Sequence, residues 1–175
     1  SMLTWGQPPK TIDFQPLTQE MLNNPDPEDW LMWRGGYENW GYSPLDQISR
    51  ENVHQIRLTW SWEFAPAAPG SNGMQVEPTV YDGVIYIRHS NEKYSAHDAA
   101  TGDLIWEYSR PLAVAVSGFE TRLTVHRGRG VFIHEDKLIS HSTDGMLFAL
   151  NPRNGRLIWE AAMVDYRSGQ QPSGA

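Results

Sequence analysis

The sequence predicts an all-β fold made of four-stranded antiparallel sheets, arranged as the blades of a partial propeller, about two to three blades in 175 residues. Three observations carry this expectation. A set of short β-rich runs occurs twice between residues 76 and 160. The runs are broken by Asp-Gly, Asn-Gly or Thr-Gly, which supply the positive-φ positions of tight turns. A tryptophan closes each unit: Trp60, Trp106 and Trp159 return at spacings of 46 and 53 residues. Helical periodicity is nearly absent after residue 52. A β-sandwich is the other all-β reading, but it gives no reason for a tryptophan to return at one place in each unit.

Composition narrows the function classes. Asp and Glu number 21 against 14 Lys and Arg, a formal net charge of −7. An acidic chain without a basic run argues against nucleic acid and anionic membrane as main partners. Cysteine is absent, which excludes disulfide scaffolds, thiolate zinc sites and cysteine nucleophiles. Eight tryptophans and 11 % aromatic residues argue against disorder. No apolar stretch approaches the ~18 residues of a membrane span. Ser1-Met2 reads as the scar of a cleaved tag, which leaves an upstream export signal open.

Along the chain, residues 1–29 read as an N-terminal arm. They carry Gln7-Pro8-Pro9-Lys10 and Asn24-Pro25-Asp26-Pro27 and show little periodicity. Leu17 to Leu22 could form a short helix with Thr18 as N-cap, although Glu20 sits one position early for a capping box. Residues 30–175 read as the blades, opening on Trp30, Trp33, Trp40, Trp60 and Trp62. The first unit runs from Val76 to Tyr108 with turns at Asp82-Gly83 and Thr101-Gly102. The second runs from Gly130 to Glu160 with turns at Glu135-Asp136, Asp144-Gly145 and Asn154-Gly155.

The closing segment of each unit has its own mechanics. In Ala96-His97-Asp98-Ala99-Ala100-Thr101-Gly102-Asp103-Leu104-Ile105-Trp106 the Asp side chain can bond the amides of the turn that follows, and Gly102 takes the left-handed position. The indole four residues on then lies between sheets, and its N–H needs an acceptor such as a neighbouring blade's carbonyl. The second copy keeps this chemistry with Asn151 for Asp and Asn154 for Thr.

The Ala-x-Asp-x-x-Thr-Gly-x-x-x-Trp pattern resembles the tryptophan-docking motif of the PQQ-dependent quinoprotein alcohol dehydrogenases. Asp29-Trp30, Arg34-Gly35-Gly36-Tyr37, Asn39-Trp40, Tyr42-Ser43-Pro44-Leu45, Gln47-Ile48 and Asn52-Val53 resemble that family's N-terminal signature. Glu77-Pro78-Thr79-Val80 with Asp82-Gly83-Val84-Ile85-Tyr86 is similar to its first full blade. The resemblance implies an eight-bladed propeller of which this chain is roughly the first third. An unclosed propeller leaves a blade face and a strand edge exposed. The remainder of the polypeptide, a second chain or another copy would have to cover them.

The resemblance also implies site residues. Glu77 matches the glutamate beside the PQQ cofactor; its plainer reading is an exposed strand-end carboxylate. Arg129 matches the arginine on a PQQ carboxylate, since a planar guanidinium binds such groups through two parallel bonds. Its plainer reading is a solvent-facing member of the cluster Arg122, His126, Arg127 and Arg129, with Arg127 as the competing choice. Ser173 falls where the family has a threonine that bonds PQQ; otherwise it belongs to a loose tail. Leu123 and Thr124 stand where many members carry a vicinal cysteine pair. The six histidines have no metal-ligand spacing and read as strand or turn residues.

Taken with the resemblance, these residues imply part of a periplasmic dehydrogenase that oxidises an alcohol by hydride transfer to PQQ, beside a calcium or lanthanide ion, with electrons leaving to cytochrome c or a quinone. The metal ligands and the catalytic aspartate are expected in later blades, so residues 1–175 alone are expected to be inactive. The alternative is a non-enzymatic propeller scaffold with similar repeats, which has no use for an inward Glu77 and Arg129.

Overall fold

The computed structural model describes residues 12–63, 76–89, 92–111, 130–142 and 144–163. Two four-stranded antiparallel sheets form from consecutive strands. The first takes β1 (Thr79–Tyr81), β2 (Val84–Arg88), β3 (Lys93–Asp98) and β4 (Leu104–Ser109) in that order. The second takes β5 (Phe132–His134), β6 (Lys137–His141), β7 (Met146–Leu150) and β8 (Leu157–Ala162) in the same way. This is a partial propeller, as the repeats led us to expect.

The sheets are copies down to their irregularities. Ala96 pairs with Trp106 and Ala149 with Trp159, and each register slips at the next residue, Ala96/His97 and Ala149/Leu150. The slip accommodates the turn that carries the closing glycine. In that turn Asp98 Oδ1 accepts from the Ala100 and Thr101 amides at 3.0 and 2.9 Å, and Asn151 Oδ1 accepts from the Arg153 amide at 2.9 Å. The β1–β2 hairpin turns on Asp82 and Gly83, at φ 49° and 72°, the pair of left-handed residues that matches strand twist.

The core lies between the sheets. Tyr86 and Tyr94 from the first meet Leu138, Phe148 and Leu150 from the second, with Tyr94 and Phe148 edge to face at 5.2 Å. Thr79 Oγ1 donates to the Val131 carbonyl at 2.7 Å, tying the inner strands together. The contrast between equivalent positions shows what a following sheet covers. Ile105 on β4 is 7 % exposed, because the second sheet packs over it, whereas Ile158 on β8 is 45 % exposed.

Trp106 makes the joint between the two sheets. Its indole lies over Gly155 and donates Nε1–H to the Pro152 carbonyl at 2.8 Å. Trp60 sits the same way over Gly102, donating to the Ala99 carbonyl at 3.1 Å. Behind Trp106, Arg110 crosses to the second sheet, donating to Ser142 Oγ at 3.1 Å and to Glu160 Oε2 at 2.6 Å, with Asp144 Oδ2 at 3.5 Å.

Residues 12–31 lie against both sheets. Phe14, Leu17 and Leu31 are buried. Phe14 meets Tyr81 edge to face at 5.3 Å, and Arg153 caps it from the second sheet, donating to the Phe14 carbonyl at 2.6 Å. The helix α1 spans Gln19–Asn23, two residues later at its start than the sequence suggested. Thr18 is the cap, accepting from the Met21 amide at 3.2 Å, and Leu17 is drawn instead into a bridge with Glu135. No helix among the described residues is long and apolar enough to cross a membrane.

Candidate functional site

Glu77 sits two residues before β1, after which the chain enters the inner strand. Its Oε1 accepts two hydrogen bonds, from the Trp30 indole Nε1–H at 2.8 Å and from the Arg34 amide at 2.9 Å. Both donors are placed by local structure. Trp30 exchanges two backbone bonds with Val80 at 2.8 and 2.9 Å, so its ring is fixed to the strand that Glu77 precedes. Asp29 reinforces the same contact by accepting from the Asp82 amide at 2.9 Å. Burial is the main influence on the Asp29 carboxyl and holds it above the ordinary carboxylate range, against that amide bond.

Arg34 presents its amide because the chain turns there. The short 3-10 turn Trp33–Gly35 holds Arg34 at φ 57°, ψ 29°, followed by Gly35 at φ 89°. A side chain at Gly35 would lie 3.1 Å from the Trp30 ring. The Arg-Gly-Gly segment is therefore a carboxylate holder: it closes round Trp30 and aims one N–H at Glu77. The bland reading of Glu77, an exposed strand-end carboxylate, does not describe this side chain.

The other carboxylate oxygen decides what the arrangement can do. Glu77 Oε2 is buried and finds no hydrogen-bond partner among the described residues. A buried carboxylate oxygen left without a donor is destabilising by about 1–3 kcal/mol or more. The group is held by one oxygen, and the described residues offer no donor to the other. Gly130, at φ 151°, stands against the backbone of Glu77: a Cβ there would lie 3.0 Å from the Glu77 carbonyl oxygen. The start of the second sheet's inner strand thus reaches the backbone of Glu77, and Arg129 is its neighbour in sequence. Arg129 and Ser173, with Arg122, Leu123, Thr124, His126 and Arg127, lie outside the described residues. Among the described residues no group of three or more His, Asp or Glu could hold a metal ion.

Residues 30–172 match the family model described as PQQ: glucose/ethanol/alcohol dehydrogenase, β-propeller domain. The chain belongs to this family. Over 142 residues it is 34 % identical to the dehydrogenase subunit of alcohol dehydrogenase (quinone) from Gluconobacter oxydans, covering 81 % of this chain and 18 % of that one. The corresponding subunit from Acetobacter aceti is 31 % identical over 175 residues, 98 % of this chain and 23 % of its own length. Among solved structures, a quinohemoprotein alcohol dehydrogenase from Pseudomonas putida superposes with a TM-score of 0.72 at 28 % identity, over 91 % of this chain and 22 % of that one. A europium-containing methanol dehydrogenase shares the fold, with a TM-score of 0.70 at 24 % identity, over 89 % of this chain and 26 % of its own. The chain therefore spans about a fifth to a quarter of the length of these relatives.

Two further polar clusters of this quinoprotein propeller chain escaped sequence reasoning. His89 Nε2 lies 2.6 Å from Ser95 Oγ, which lies 2.9 Å from His97 Nε2, and the Trp62 ring stands edge-on to both imidazoles. Burial is the largest influence on both histidines and lowers both, His89 to about 4. Arg88 donates to Glu92 Oε1 at 3.1 Å, and Tyr94 donates to Glu92 Oε2 at 2.9 Å, all three side chains buried. These residues join strands through pairing register, which leaves no local trace in sequence. A groove of about 670 Å³ lies between α1 and the β5–β6 turn, lined by Leu17, Leu22, Glu135 and Lys137 among others. It is at the far end of β5 from Gly130 and takes no part in the Glu77 site.

Proposed function

We propose that this chain is one wall of the cofactor site of a PQQ-dependent dehydrogenase that oxidises an alcohol. The observation that carries the reading is Glu77: one carboxylate oxygen held by two donors, the other buried and without a partner among the described residues, with the Glu77 backbone carbonyl against the start of the second inner strand. The residues fit the group. PQQ offers a pyrrole N–H, which an unpartnered carboxylate oxygen can accept, and carboxylates, which Arg129 would pair. Ser173 would add a hydroxyl. When bound, PQQ supplies the quinone that takes up hydride from the alcohol. The part of Glu77 is to orient: Trp30 and the Arg34 amide hold its carboxylate in one rotamer, so no ordering is needed when a ligand arrives.

The metal, calcium or a lanthanide, and the aspartate base belong in this reading to the polypeptide beyond residues 1–175. So do the contacts with alcohol and with the electron acceptor, a cytochrome c or quinone. The periplasmic setting belongs to the same proposal. The names of the relatives, quinone-linked and quinohemoprotein alcohol dehydrogenases, support the alcohol-dehydrogenase part of this reading.

The test is reconstitution of the intact polypeptide with PQQ and calcium or a lanthanide. Bound quinone is read by absorbance after desalting, and turnover by a dye-linked alcohol assay. Stoichiometric uptake is expected, with uptake falling at least about tenfold in Glu77→Gln, a loss of ~1.4 kcal/mol. Gln keeps an oxygen for Trp30 and Arg34 but puts a donor where the free oxygen was. No PQQ uptake by the wild type would favour the scaffold alternative. Turnover by residues 1–175 alone would refute the assignment of catalysis to later blades.

A further inference from the structure

Residues 57–63 meet the first sheet at two alternate side chains, Trp60 and Trp62. Both are half-buried, while Thr59, Ser61 and Glu63 beside them are exposed. Trp60 lies over Gly102 and donates to the Ala99 carbonyl at 3.1 Å. Trp62 lies against two imidazoles, its ring centroid 4.1 Å from that of His97 and 5.7 Å from that of His89. Gly102 joins the two contacts, because its carbonyl lies 3.3 Å from His97 Nδ1.

That last bond assigns every proton in the cluster. A carbonyl only accepts, so His97 carries its proton on Nδ1 and its Nε2 is an acceptor. Nε2 then takes the Ser95 hydroxyl proton at 2.9 Å, and Ser95 Oγ accepts in turn from His89 Nε2–H at 2.6 Å. One hydrogen fills each contact. A further proton on His97 can enter only at Nε2, where it opposes the Ser95 O–H that points at it. The serine would have to turn its hydrogen away and accept from two imidazoles at once. Ser95 is fully buried and His97 is 1 % exposed, so the added charge would be cut off from water.

We propose that this cluster is an acid-sensitive latch: one proton taken up by the imidazole pair releases Trp62, and with it Trp60, from the first sheet. Lifting the indole is how a charged imidazole regains water. The neighbouring charges do not remove the effect. Lys93 on β3 and Glu107 on β4 pair with each other at 3.0 Å and act on His89 in opposite senses. Glu107 and the Gly102 bond favour a proton on His97, but burial outweighs both. Arg88, next to His89 on β2, is turned to the other face of the sheet, over Tyr94 and paired with Glu92. Arg57 and Glu63, on the segment itself, are exposed. The sign follows from burial. Released imidazoles return toward their ordinary 6.5, whereas docked His89 takes a proton only at about 4 and docked His97 below its ordinary value. The released state therefore gains up to about tenfold in population per pH unit below 6.5, and nothing above it. The latch does not depend on the cofactor reading.

Indole N–H exchange in the intact polypeptide that carries residues 1–175, isotope-labelled at tryptophan, tests this by comparing Trp60 with Trp106. Both N–H groups donate to carbonyls, at 3.1 and 2.8 Å, so the pH dependence of their common chemistry cancels in the ratio. The ratio of Trp60 to Trp106 exchange is expected to be constant above pH 6.5 and to rise below it, by up to about tenfold per pH unit. His89→Gln combined with His97→Gln should remove the rise. A second reading needs no variant: C2–H exchange followed by mass spectrometry should show His89 and His97 taking up protons over the same pH interval as the rise. A ratio that stays flat down to about pH 4, or a rise that persists in the double variant, would overturn the proposal. So would histidines whose titration does not coincide with the rise.

Discussion

The joint between sheets rests on one glycine and one indole, and Gly155→Ala measures it. Gly155 is at φ 69°, where a side chain introduces about 1–2 kcal/mol of backbone strain. The new Cβ would lie 2.5 Å from Trp106 Cε3 and 2.8 Å from Cδ2, so the ring must move. Moving it breaks the 2.8 Å bond to the Pro152 carbonyl and leaves a buried indole N–H unpaired, a further loss of about 1–3 kcal/mol. The expected destabilisation is roughly 2–5 kcal/mol. Gly83→Ala is the control. Gly83 is also left-handed, at φ 72°, but nothing lies within 4 Å of its Cβ position. It should lose only the backbone part, about 1–2 kcal/mol. At about 2–4 °C per kcal/mol for a chain of this size, the two variants should separate clearly in a melt followed by tryptophan fluorescence. If Gly155→Ala melts no lower than Gly83→Ala, the indole contact does not hold the sheets together and the reasoning fails.

Three other perturbations probe the polar contacts. Trp30→Phe removes one of the two donors on Glu77 Oε1 and keeps the ring; it should destabilise by about 1 kcal/mol and weaken PQQ uptake several-fold. A melt and a titration with PQQ check the two effects separately. Arg110→Met strands the buried Asp144 without its guanidinium and should destabilise by about 3–5 kcal/mol in urea, whereas Arg110→Met with Asp144→Leu should recover most of that loss. For the histidines the sign follows from burial. Above the ordinary value of 6.5 both folded and unfolded His89 are neutral. Below it the unfolded chain takes up a proton that the folded chain refuses until about pH 4, so stability falls as pH drops through that window. One histidine contributes a slope of up to ~1.4 kcal/mol per pH unit. His97 and Lys93 strengthen the depression and Glu107 opposes it. His89→Gln should flatten the slope in denaturant melts between those pH values; an unchanged slope would show that the ring does not titrate in this way.

The repeat was legible because its parts are local. An Asp or Asn, a left-handed glycine and a tryptophan four residues on suffice to write the turn, and the turn dictates where the indole goes. Glu77 was legible only through the resemblance. Its two donors come from 47 and 43 residues earlier, and nothing in the periodicity of Trp30 or Arg34 marks them as its partners. The His89–Ser95–His97 cluster could not be read at all. Ser95, Ala96 and His97 are consecutive and all buried, because β3 is covered on both faces, so the alternation that marks a half-buried strand is absent. The start of α1 was misplaced for a related reason. Leu17 is apolar enough to begin a helix, but its amide bonds to the Glu135 carbonyl at 2.9 Å, a contact more than a hundred residues away in the chain.

Arg34 shows how the site and the fold constrain each other. A bulky residue at φ 57° is uncommon and is held there only when its surroundings over-determine it. Three contacts do so: its amide bonds to Glu77, its carbonyl accepts from the Gly41 amide at 3.0 Å, and Gly41 leaves room for the guanidinium, since a Cβ there would lie 3.3 Å from Arg34 Nε. Left-handed non-glycine residues also occur in the sheet turns, at Asp82, Glu92 and Glu135, beside Gly83, Gly102 and Gly155, but at Arg34 the conformation serves the contact with Glu77. A carboxylate whose holder is conformationally locked does not swing to satisfy its own second oxygen. That is why Glu77 Oε2 can stay buried without a partner among the described residues.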